Sequence, residues 1–460
     1  MPSSIRSGVL TLLHTACGAG ILAMPFGFKP FGLICGYVVL TLCGVLAMTG
    51  LLIQARVAKY VDDKKASFFT LSNLISQKLS IIFDLAIAVK CFGVGVSYLI
   101  VVGDLIPQIA AAFSDNHLLM NRNFDITMVL FIIVAPLCFL RKLNSLRYAS
   151  MIAISSVVYL CIMVIVHFLF QSDEIKSLKG EVSYGFPKNE ASPLTTLPIF
   201  VFAYTCHHNM FSIINEQRDT SFSNTKYIPL FAILSAYIIY VIIGFSGYLT
   251  FGNNIVGNII TEYPQSITTT IGRIAIVFLV MLAYPLQCHP ARASIHHVLH
   301  YLEVKEQMRR ERAASRVSAR STNLLSSDAS ARSESSEDEA TLLLEDELIL
   351  EESQRQREIT PLHGKRFIII TTCIIICSYL LAISVTSLAE VLAVVGATGS
   401  TSIAFILPGI FGFRIIGSKD DEVLSSTDRI FKYAGLLLII WGIFVMIASL
   451  TATILYGARH

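Results

Sequence analysis

The chain has 460 residues, of which 54% are hydrophobic and only 15% are charged, and its formal net charge at pH 7 is +3. A soluble globular domain carries about 25% charged residues. A chain this apolar cannot hide its nonpolar surface from water, so the composition excludes a soluble globular protein and indicates a polytopic membrane protein. The small net charge gives no indication of nucleic-acid binding.

Apolar runs long enough to cross a bilayer recur along the whole chain and predict an all-α fold. A hydrocarbon core of ~30 Å needs about 20 residues of apolar helix. On that basis we predict eleven transmembrane helices, at residues 8–28, 31–56, 80–112, 124–141, 147–170, 194–216, 227–251, 267–299, 366–389, 392–416 and 430–457. The first run breaks at its glycines and further spans follow at once, so we expect no cleavable signal peptide.

The distribution of lysine and arginine predicts the orientation of these spans, because short cytosolic loops are enriched in both residues. With the N-terminus in the cytosol, most basic loop residues lie on the cytosolic side, among them Arg56, Lys59, Lys64, Lys65, Arg141, Lys142, Arg147, Arg218 and Lys226. The opposite loops hold fewer, namely Lys29, Arg122, Lys176, Lys179, Lys188, Arg273 and Arg459. An odd number of spans then places the C-terminus in a lumen or outside the cell.

One long segment, residues 301–365, is polar rather than apolar. Its first part is basic, its second part is acidic, and it is rich in serine. Such a segment cannot bury enough apolar area to offset its ordering entropy. We therefore expect a disordered cytosolic loop between helices 1–8 (residues 1–300) and helices 9–11 (residues 366–460).

This loop contains a candidate sorting signal. Asp338 lies four residues before Leu342, which is followed by Leu343, and the spacing resembles the acidic dileucine signal that vesicle-coat adaptors recognise. Two leucines of a transient amphipathic turn explain the pattern equally well. On the first interpretation, a vesicle-coat adaptor is a partner of this protein.

Two predicted spans carry helix-weakening or polar residues in their middle. Span 1 reads "HTACGAGILAMP" (residues 14–25) and span 6 reads "FAYTCHHNMF" (residues 202–211). In hydrocarbon every backbone N–H and C=O needs a partner, so a broken helix is tolerated only where the freed groups face protein, water or a ligand. Close helix packing also explains the glycines. Because these spans begin two successive groups of five, interruptions at corresponding positions favour an inverted-repeat transporter.

Such interruptions predict a site for the zwitterionic end of an amino acid. A half-helix that begins near Gly20 directs its positive end at an anion, so a substrate carboxylate fits against its N–H groups. Free carbonyls near Thr15 and in span 6 fit the substrate ammonium. The predicted substrate-binding residues are Thr15, Gly18, Gly20, Ile21, Ser97, Tyr98, Tyr204, Thr205, Cys206 and His207. For Tyr98, packing against lipid is an equally good explanation.

Lys90 lies about ten residues inside predicted span 3, too deep for easy contact with the membrane interface. It must face the helix bundle or a water-filled path. One interpretation is a counter-charge for an acidic substrate side chain, or a cytosolic gate. A structural pair with a carboxylate such as Asp84 or Glu216 is the preferred interpretation. Asp104, near the luminal end of the same span, is expected to be an ordinary solvated carboxylate.

Several motifs resemble the amino acid/auxin permease family, which includes the sodium-coupled neutral amino acid transporters. The motifs are "GAGILAMPFGFKPFG" (18–32), "LNSLRYAS" (143–150), "FVFAYTCHHNMFSIINEQ" (200–217), "GYLTFGNNIVGNI" (247–259) and "PLQCHPARASIHH" (285–297). The resemblance implies a LeuT-type fold, in which spans 1–5 and 6–10 are inverted repeats and one C-terminal helix is added. It also implies secondary transport at a site between spans 1, 3, 6, 8 and 10. Within the family, the resemblance is greatest to the fungal vacuolar exporters of aspartate and glutamate, which implies a multi-pass protein of the vacuole membrane.

The same resemblance bears on ion coupling. The sodium-coupled members use an asparagine in helix 1 and a threonine in helix 8 as sodium ligands, and these positions align with His14 and Ala283. Alanine offers no side-chain oxygen, so the sodium site looks incomplete and coupling to protons is expected. Histidine titrates near neutral pH, with a reference pKa of about 6.5, and His14, His207, His208 and His289 are the candidates. A histidine that only hydrogen-bonds to backbone is an open alternative at each position.

The leading hypothesis is a proton-coupled symporter that exports aspartate and glutamate from the vacuole lumen to the cytosol by alternating access. The alternative is an amino acid sensor of the organelle membrane that signals through residues 301–362. An enzyme is not favoured, because no nucleophile motif, P-loop or metal-spaced cluster is evident. The ten cysteines all fall in predicted spans and indicate buried packing, so no metal or other cofactor is expected. The expected partners are an amino acid, protons and lipid.

Overall fold

The computed structural model describes residues 4–61, 64–114, 116–140, 149–187, 192–323, 364–418 and 424–457. Within these ranges the regular elements are helices and no strand occurs, so the predicted all-α class is confirmed. The candidate sorting residues Asp338, Leu342 and Leu343 lie outside the described residues.

The first ten helices are α1 (Ile5–Ala16), α2 (Met24–Phe28), α3 (Gly32–Val57), α4 (Phe68–Asn73), α5 (Gln77–Ala110), α6 (Arg122–Val129), α7 (Ala135–Cys138), α8 (Ala149–Leu169), α9 (Asp173–Ser177) and α10 (Leu197–Ala203). The next nine are α11 (Met210–Glu216), α12 (Phe222–Thr225), α13 (Tyr227–Phe251), α14 (Ile259–Glu262), α15 (Ile267–Asn323), α16 (Lys365–Ser384), α17 (Leu388–Val395), α18 (Leu407–Ile415) and α19 (Ser426–Gly457). Two π-helical turns, Gly396–Ser400 and Ser402–Ile406, join α17 to α18.

Nine helical stretches of the described chain are long and apolar enough to cross a membrane. They correspond to nine of the eleven predicted spans, so the polytopic class is confirmed at this level. The other two predicted spans, residues 8–28 and 124–141, are built from shorter helices. The first consists of α1 and α2 with a 3₁₀ turn between them, and the fourth of α6 and α7 with a π-helical turn between them.

Spans 3, 6 and 10 lie at the centre of the bundle. In the most apolar parts of Leu79–Ala110, Pro193–Glu216 and Leu388–Ile415, 78%, 83% and 78% of the residues are buried, against 28% in Ser426–Leu455. Apolar side chains of α19 such as Ile440 are exposed, as expected for a helix that faces lipid. The broken span 6 and the π-distorted span 10 are therefore shielded from lipid, whereas Phe131 and Ile132 in the π-helical turn of span 4 are exposed.

Helix α15 continues well beyond the end predicted for span 8. It runs to Asn323, so residues 301–323 are helical, in contrast to the disorder expected for the whole of 301–365. Alanine, glutamate and arginine in this stretch are strong helix formers. Glu306 and Arg310 also form an i,i+4 ion pair at 3.2 Å, which stabilises a helix.

An ion pair joins α3 to α19. Arg56 donates through Nε and Nη2 to the two carboxylate oxygens of Asp428, at 2.7 and 3.0 Å. The side chains are only 20% and 6% exposed. Two parallel bonds between charged groups in a sheltered site are stronger than an exposed pair.

We expect the substitution Asp428→Asn to lower the thermal stability of the protein in detergent by about 1–3 kcal/mol, because the charge-assisted bonds to Arg56 are lost. The measurement is the apparent melting temperature. The matched control is Asp173→Asn, since Asp173 is 99% exposed and its pair with Lys176 at 2.9 Å is solvated. Equal melting temperatures for the two variants would contradict a structural role of the Arg56 pair.

Candidate functional site

Span 1 is interrupted by a short irregular stretch in its middle. Helix α1 ends at Ala16, and α2 begins only at Met24. Gly18, between them, adopts φ −98° and ψ −144°, which lies outside helical geometry. The N–H groups of Ala19 and Gly20 find no acceptor within the described part of the chain. The predicted interruption of span 1 is confirmed, and it leaves free backbone donors inside the protein.

Span 6 has a corresponding interruption. Helix α10 ends at Ala203 and α11 begins at Met210, with a 3₁₀ turn at His207–Asn209 between them. The linking residues 204–206 are at most 2% exposed. The freed backbone of this second break therefore also faces protein rather than lipid, as a broken span requires.

The two interruptions pack against each other. A Cβ on Gly20 would lie 3.1 Å from the Cα of Ala203, so a side chain here would crowd the backbone of span 6. The side-chain amide of Asn209 donates to the hydroxyl of Thr15 at 2.9 Å. A close backbone approach and a side-chain hydrogen bond thus join the two broken spans.

A tyrosine of α13 bridges the two broken helix ends. The hydroxyl of Tyr240 lies 2.9 Å from the carbonyl oxygen of Ala16 and 2.7 Å from that of Ala203. A tyrosine hydroxyl has a single proton to donate, so the two carbonyls share one donor. Both carbonyls close a helix, where intrahelical donors run out. The carbonyl of Ala16 also accepts from the N–H of Gly18 at 2.8 Å. Because Tyr240 is fully buried, its hydroxyl replaces the water that would otherwise satisfy these groups.

A polar cavity of about 580 Å³ lies between α1, α5, α11 and α15, within the size range of small-molecule sites. Its polar lining residues are Thr11, His14, Thr15, Ser67, Asp84, Tyr98, His208, Asn209, Ser212, Asn215, Gln287, His289, Ser294 and His297. One end of the cavity reaches the break in span 1, and the other reaches Asp84 and His297. Ala283 also lines it.

Five of the predicted site residues line this cavity, namely His14, Thr15, Tyr98, His208 and His289. Gly18, Gly20 and Ile21 are not among its lining residues. The hydroxyl oxygen of Tyr98 lies 3.1 Å from the position of a Cβ on Gly18. Tyr98 therefore separates the cavity from the free N–H groups of span 1, and its side chain contacts protein rather than lipid.

The remaining predicted residues are buried behind the cavity wall. They are Ser97, Tyr204, Thr205, Cys206 and His207, each at most 2% exposed. The hydroxyls of Ser97 and Thr205 donate to carbonyls about one turn earlier in the chain, at 2.8 and 2.7 Å. His207 lies within hydrogen-bond distance of the carbonyl of Ala47, with Nε2 at 3.0 Å. His207 thus lies in the environment of a backbone-bonded histidine, whereas His208 faces the cavity.

Lys90 is enclosed by polar groups that carry no negative charge. It is 2% exposed, and its Nζ lies 3.4 Å from Nε2 of His208 and 3.5 Å from Oε1 of Gln287. Asp84 instead pairs with His297 at 3.2 Å. Among the described residues, no carboxylate lies within 4.0 Å of Lys90 Nζ. The preferred expectation of a carboxylate pair is therefore wrong, because Asp84, six residues earlier on α5, does not share the helix face of Lys90.

Three residues that shape the site were absent from the predicted set, namely Asn209, Gln287 and Tyr240. Asn209 belongs to the same polar stretch as the histidine pair, and Gln287 is a polar residue between two prolines of span 8. A search for polar residues inside the apolar spans would therefore have found both Asn209 and Gln287. Nothing in the sequence distinguished Tyr240 as a site residue, because aromatic residues are common in apolar spans.

The opposite end of α5 holds a smaller cavity of about 320 Å³, lined in part by Asp104. Asp104 lies 3.7 Å from Nε of Arg122 and accepts from the side-chain amide of Asn258 at 3.3 Å. Its side chain is only 19% exposed. The expectation of an ordinary solvated carboxylate is therefore wrong, because the start of α6 and the loop before α14 both pack over this end of α5.

A helical membrane protein in which two broken spans face each other beside a polar cavity has the arrangement of a secondary transporter. In agreement with this, residues 1–448 match the family model described as transmembrane amino acid transporter protein. The chain belongs to this family of transporters. The prediction that it is not an enzyme is confirmed by that membership.

Individual relatives agree with the family. The chain is 59% identical to Vacuolar amino acid transporter 6 and 52% identical to Vacuolar amino acid transporter 5, both of Saccharomyces cerevisiae, over 99% of each chain. A more distant relative is Sodium-coupled neutral amino acid transporter 7 of Danio rerio, which is 25% identical over 62% of each chain. The family resemblance inferred from the sequence motifs is confirmed.

We expect the substitution Tyr240→Phe to destabilise the protein by about 1–3 kcal/mol and to reduce transport, because two buried carbonyls lose their shared donor. The measurements are the melting temperature and amino acid flux in proteoliposomes. The matched control is Tyr237→Phe, on the same helix, where the hydroxyl donates to Tyr37 at 2.8 Å in an exposed position. Similar losses of melting temperature and of flux in the two variants would contradict the assigned role of Tyr240.

Gly20→Leu is expected to abolish flux by forcing the two broken spans apart. Its side chain would meet the backbone of Ala203 and the ring of Phe202, both at 3.1 Å from the Cβ position, and overpacking of this kind costs about 1–3 kcal/mol. The control is Gly185→Leu, since nothing lies within 4 Å of that Cβ position. Normal flux in the Gly20 variant would show that this contact is not needed for transport.

Proposed function

We propose that this protein exports aspartate and glutamate from the vacuole lumen to the cytosol, coupled to protons, by alternating access. The observation that carries the proposal is the polar cavity that ends at two broken helices packed against each other. Membership of an amino acid transporter family supports the substrate class. The location rests on relatives whose names describe them as vacuolar amino acid transporters.

The proposed architecture has eleven spans in a LeuT-type arrangement. The nine long apolar stretches, together with the broken first span and the π-distorted fourth, make up that number. Interruptions in the first and sixth spans support inverted repeats of five spans each, because they occupy corresponding positions. The remaining helix, α19, is peripheral and is the added one.

The proposed orientation has the N-terminus in the cytosol and the C-terminus in the lumen. The cavity then extends toward the cytosolic side, where Asp84 and His297 line it. The contacts of Asp104 with Arg122 and Asn258 hold the luminal end together. A cavity that extends to the cytosolic side and a luminal end that is held together correspond to an inward-facing state.

Residues 301–365 connect the two groups of helices on the cytosolic side, and the dileucine of this segment recruits a coat adaptor.

In the proposed binding mode, the broken helices hold the zwitterionic end of the substrate. The N–H groups of Ala19 and Gly20 take the α-carboxylate at the positive end of a half-helix. Access to them requires Tyr98 to rotate away from Gly18. Carbonyl oxygens near Thr15 and at residues 204–206 take the ammonium. These groups are common to all amino acids, so preference for a side chain must arise elsewhere in the cavity.

Protons are the proposed coupling ion because titratable histidines line the cavity and a sodium ligand is lost at Ala283. His14 lies in the last turn of α1, next to the break, and His208 lies in the break of span 6. His207 is the weaker candidate, since it is buried against the carbonyl of Ala47. The other titratable groups around the cavity are Asp84, His289 and His297.

A sensor is the second candidate function, and one observation favours it. Helix α15 forms part of the cavity wall and runs without interruption to Asn323. A ligand that shifts this helix in the cavity would displace its cytosolic end as well. In that case residues 301–362 would carry a signal to a cytosolic partner.

The test is amino acid flux into proteoliposomes under imposed proton or sodium gradients. We expect an inward proton gradient to raise the uptake of glutamate and aspartate at least tenfold above the rate without a gradient, since one pH unit is worth about 1.4 kcal/mol per proton. A sodium gradient is expected to have no effect. Flux that stops without sodium would overturn proton coupling, and binding without any flux would favour the sensor. Liposomes without protein provide the control.

A further inference from the structure

The most unusual group in the membrane interior is the amine of Lys90. Lysine has three N–H donors and no acceptor. Its two partners, His208 and Gln287, are distant by hydrogen-bond standards, at 3.4 and 3.5 Å. The other ionisable groups around it are the thiols of Cys91 and Cys206 and the imidazole of His207. Buried charges are normally paired with an opposite charge, so a group of the opposite sign is missing from the surroundings of Lys90.

Lys90 is connected to the substrate cavity through both of its partners. His208 and Gln287 line the cavity, although Lys90 itself lies behind them. Gln287 also lies near the hydroxyl of Tyr98, which in turn lies against Gly18. A continuous series of contacts therefore leads from the break in span 1 to the amine of Lys90. A substrate held at the break by its zwitterionic end would direct its side chain along this series.

The backbone around Lys90 fixes the position of its side chain. A Cβ on Gly399, in the π-helical turn of span 10, would lie 2.8 Å from the backbone nitrogen and from the Cβ of Lys90. The absence of a side chain at Gly399 lets span 10 pack directly against the backbone of α5 at Lys90. The amine cannot reach the membrane interface from this depth.

We propose that Lys90, with His208 and Gln287, forms the subsite that binds the side-chain carboxylate of an acidic amino acid. This inference rests on the proposed transport function and explains its preference for aspartate and glutamate. The carboxylate accepts from the amine of Lys90 and from the amide of Gln287, and it supplies the charge that the protein lacks. A neutral amino acid of the same size makes fewer of these bonds and leaves the amine unpaired.

The test compares glutamate with glutamine, which has the same shape and no side-chain charge. Full-length protein is reconstituted in proteoliposomes, and the ratio of the two fluxes is measured in the same vesicles. We expect Lys90→Gln to lower the glutamate-to-glutamine ratio about tenfold or more, the effect of losing a bond to a charged group. Lys90→Arg retains a cation and is expected to restore part of the ratio. The control is Lys179→Gln, since Lys179 is exposed outside the spans and should leave the ratio unchanged.

A second variant covers the case in which Lys90→Gln does not fold. Gln287→Glu places a carboxylate beside Lys90 without changing volume, and it is expected to lower the glutamate-to-glutamine ratio as well. A wild-type ratio in Lys90→Gln, or in Gln287→Glu where the first variant is not recovered, would overturn the subsite. A wild-type protein that moves glutamate and glutamine equally would also overturn it while leaving transport intact. A wild-type protein that moves no amino acid would instead contradict the proposed function.

Discussion

The structure depends on one constraint, which is that every backbone polar group inside a membrane must find a partner. Spans 1 and 6 depart from regular helix geometry, and the carbonyls of Ala16 and Ala203 are left without helical donors. The hydroxyl of Tyr240 shares its proton between them, and the N–H of Gly18 also donates to the carbonyl of Ala16. The bond between Asn209 and Thr15 joins the same two segments. The breaks are stable because the surrounding regular helices supply these partners and exclude lipid.

The position of Tyr240 also bears on the choice of coupling ion. The C-terminal ends of two helices converge on its hydroxyl, and such ends carry partial negative charge. A cation is one way to neutralise two converging helix ends. In this protein a neutral hydroxyl occupies that point and shares its single proton between them. The partial negative charge at these two helix ends is therefore met by a hydrogen-bond donor of the protein itself.

The sequence predicted the spans and the two breaks because these features follow from local composition. Glycines in span 1 and the histidine pair in span 6 weaken a helix wherever they occur. The partners of Lys90 could not be predicted in this way, because they depend on which faces of α5, α15 and the span 6 break meet. Likewise, the depth of Ser97 suggested a lining residue, but its hydroxyl is directed back to its own helix. Helix α15 continues past its apolar run to residue 323, where the sequence is rich in strong helix formers.

Charge balance links the proposed subsite to the proposed coupling. Lys90 stays fixed in α5 through the cycle, so the charge moved across the membrane is set by the substrate and the protons alone. An acidic amino acid carries one net negative charge at neutral pH, and one accompanying proton cancels it. A neutral pair of this kind is driven by the proton concentration gradient and is insensitive to membrane potential, which acts only on moved charge. Because binding is reciprocally coupled, a substrate anion beside Lys90 raises the affinity of nearby histidines for a proton, and a bound proton raises the affinity for the anion. Because His208 contacts Lys90 directly, we expect this coupling to be strongest at His208.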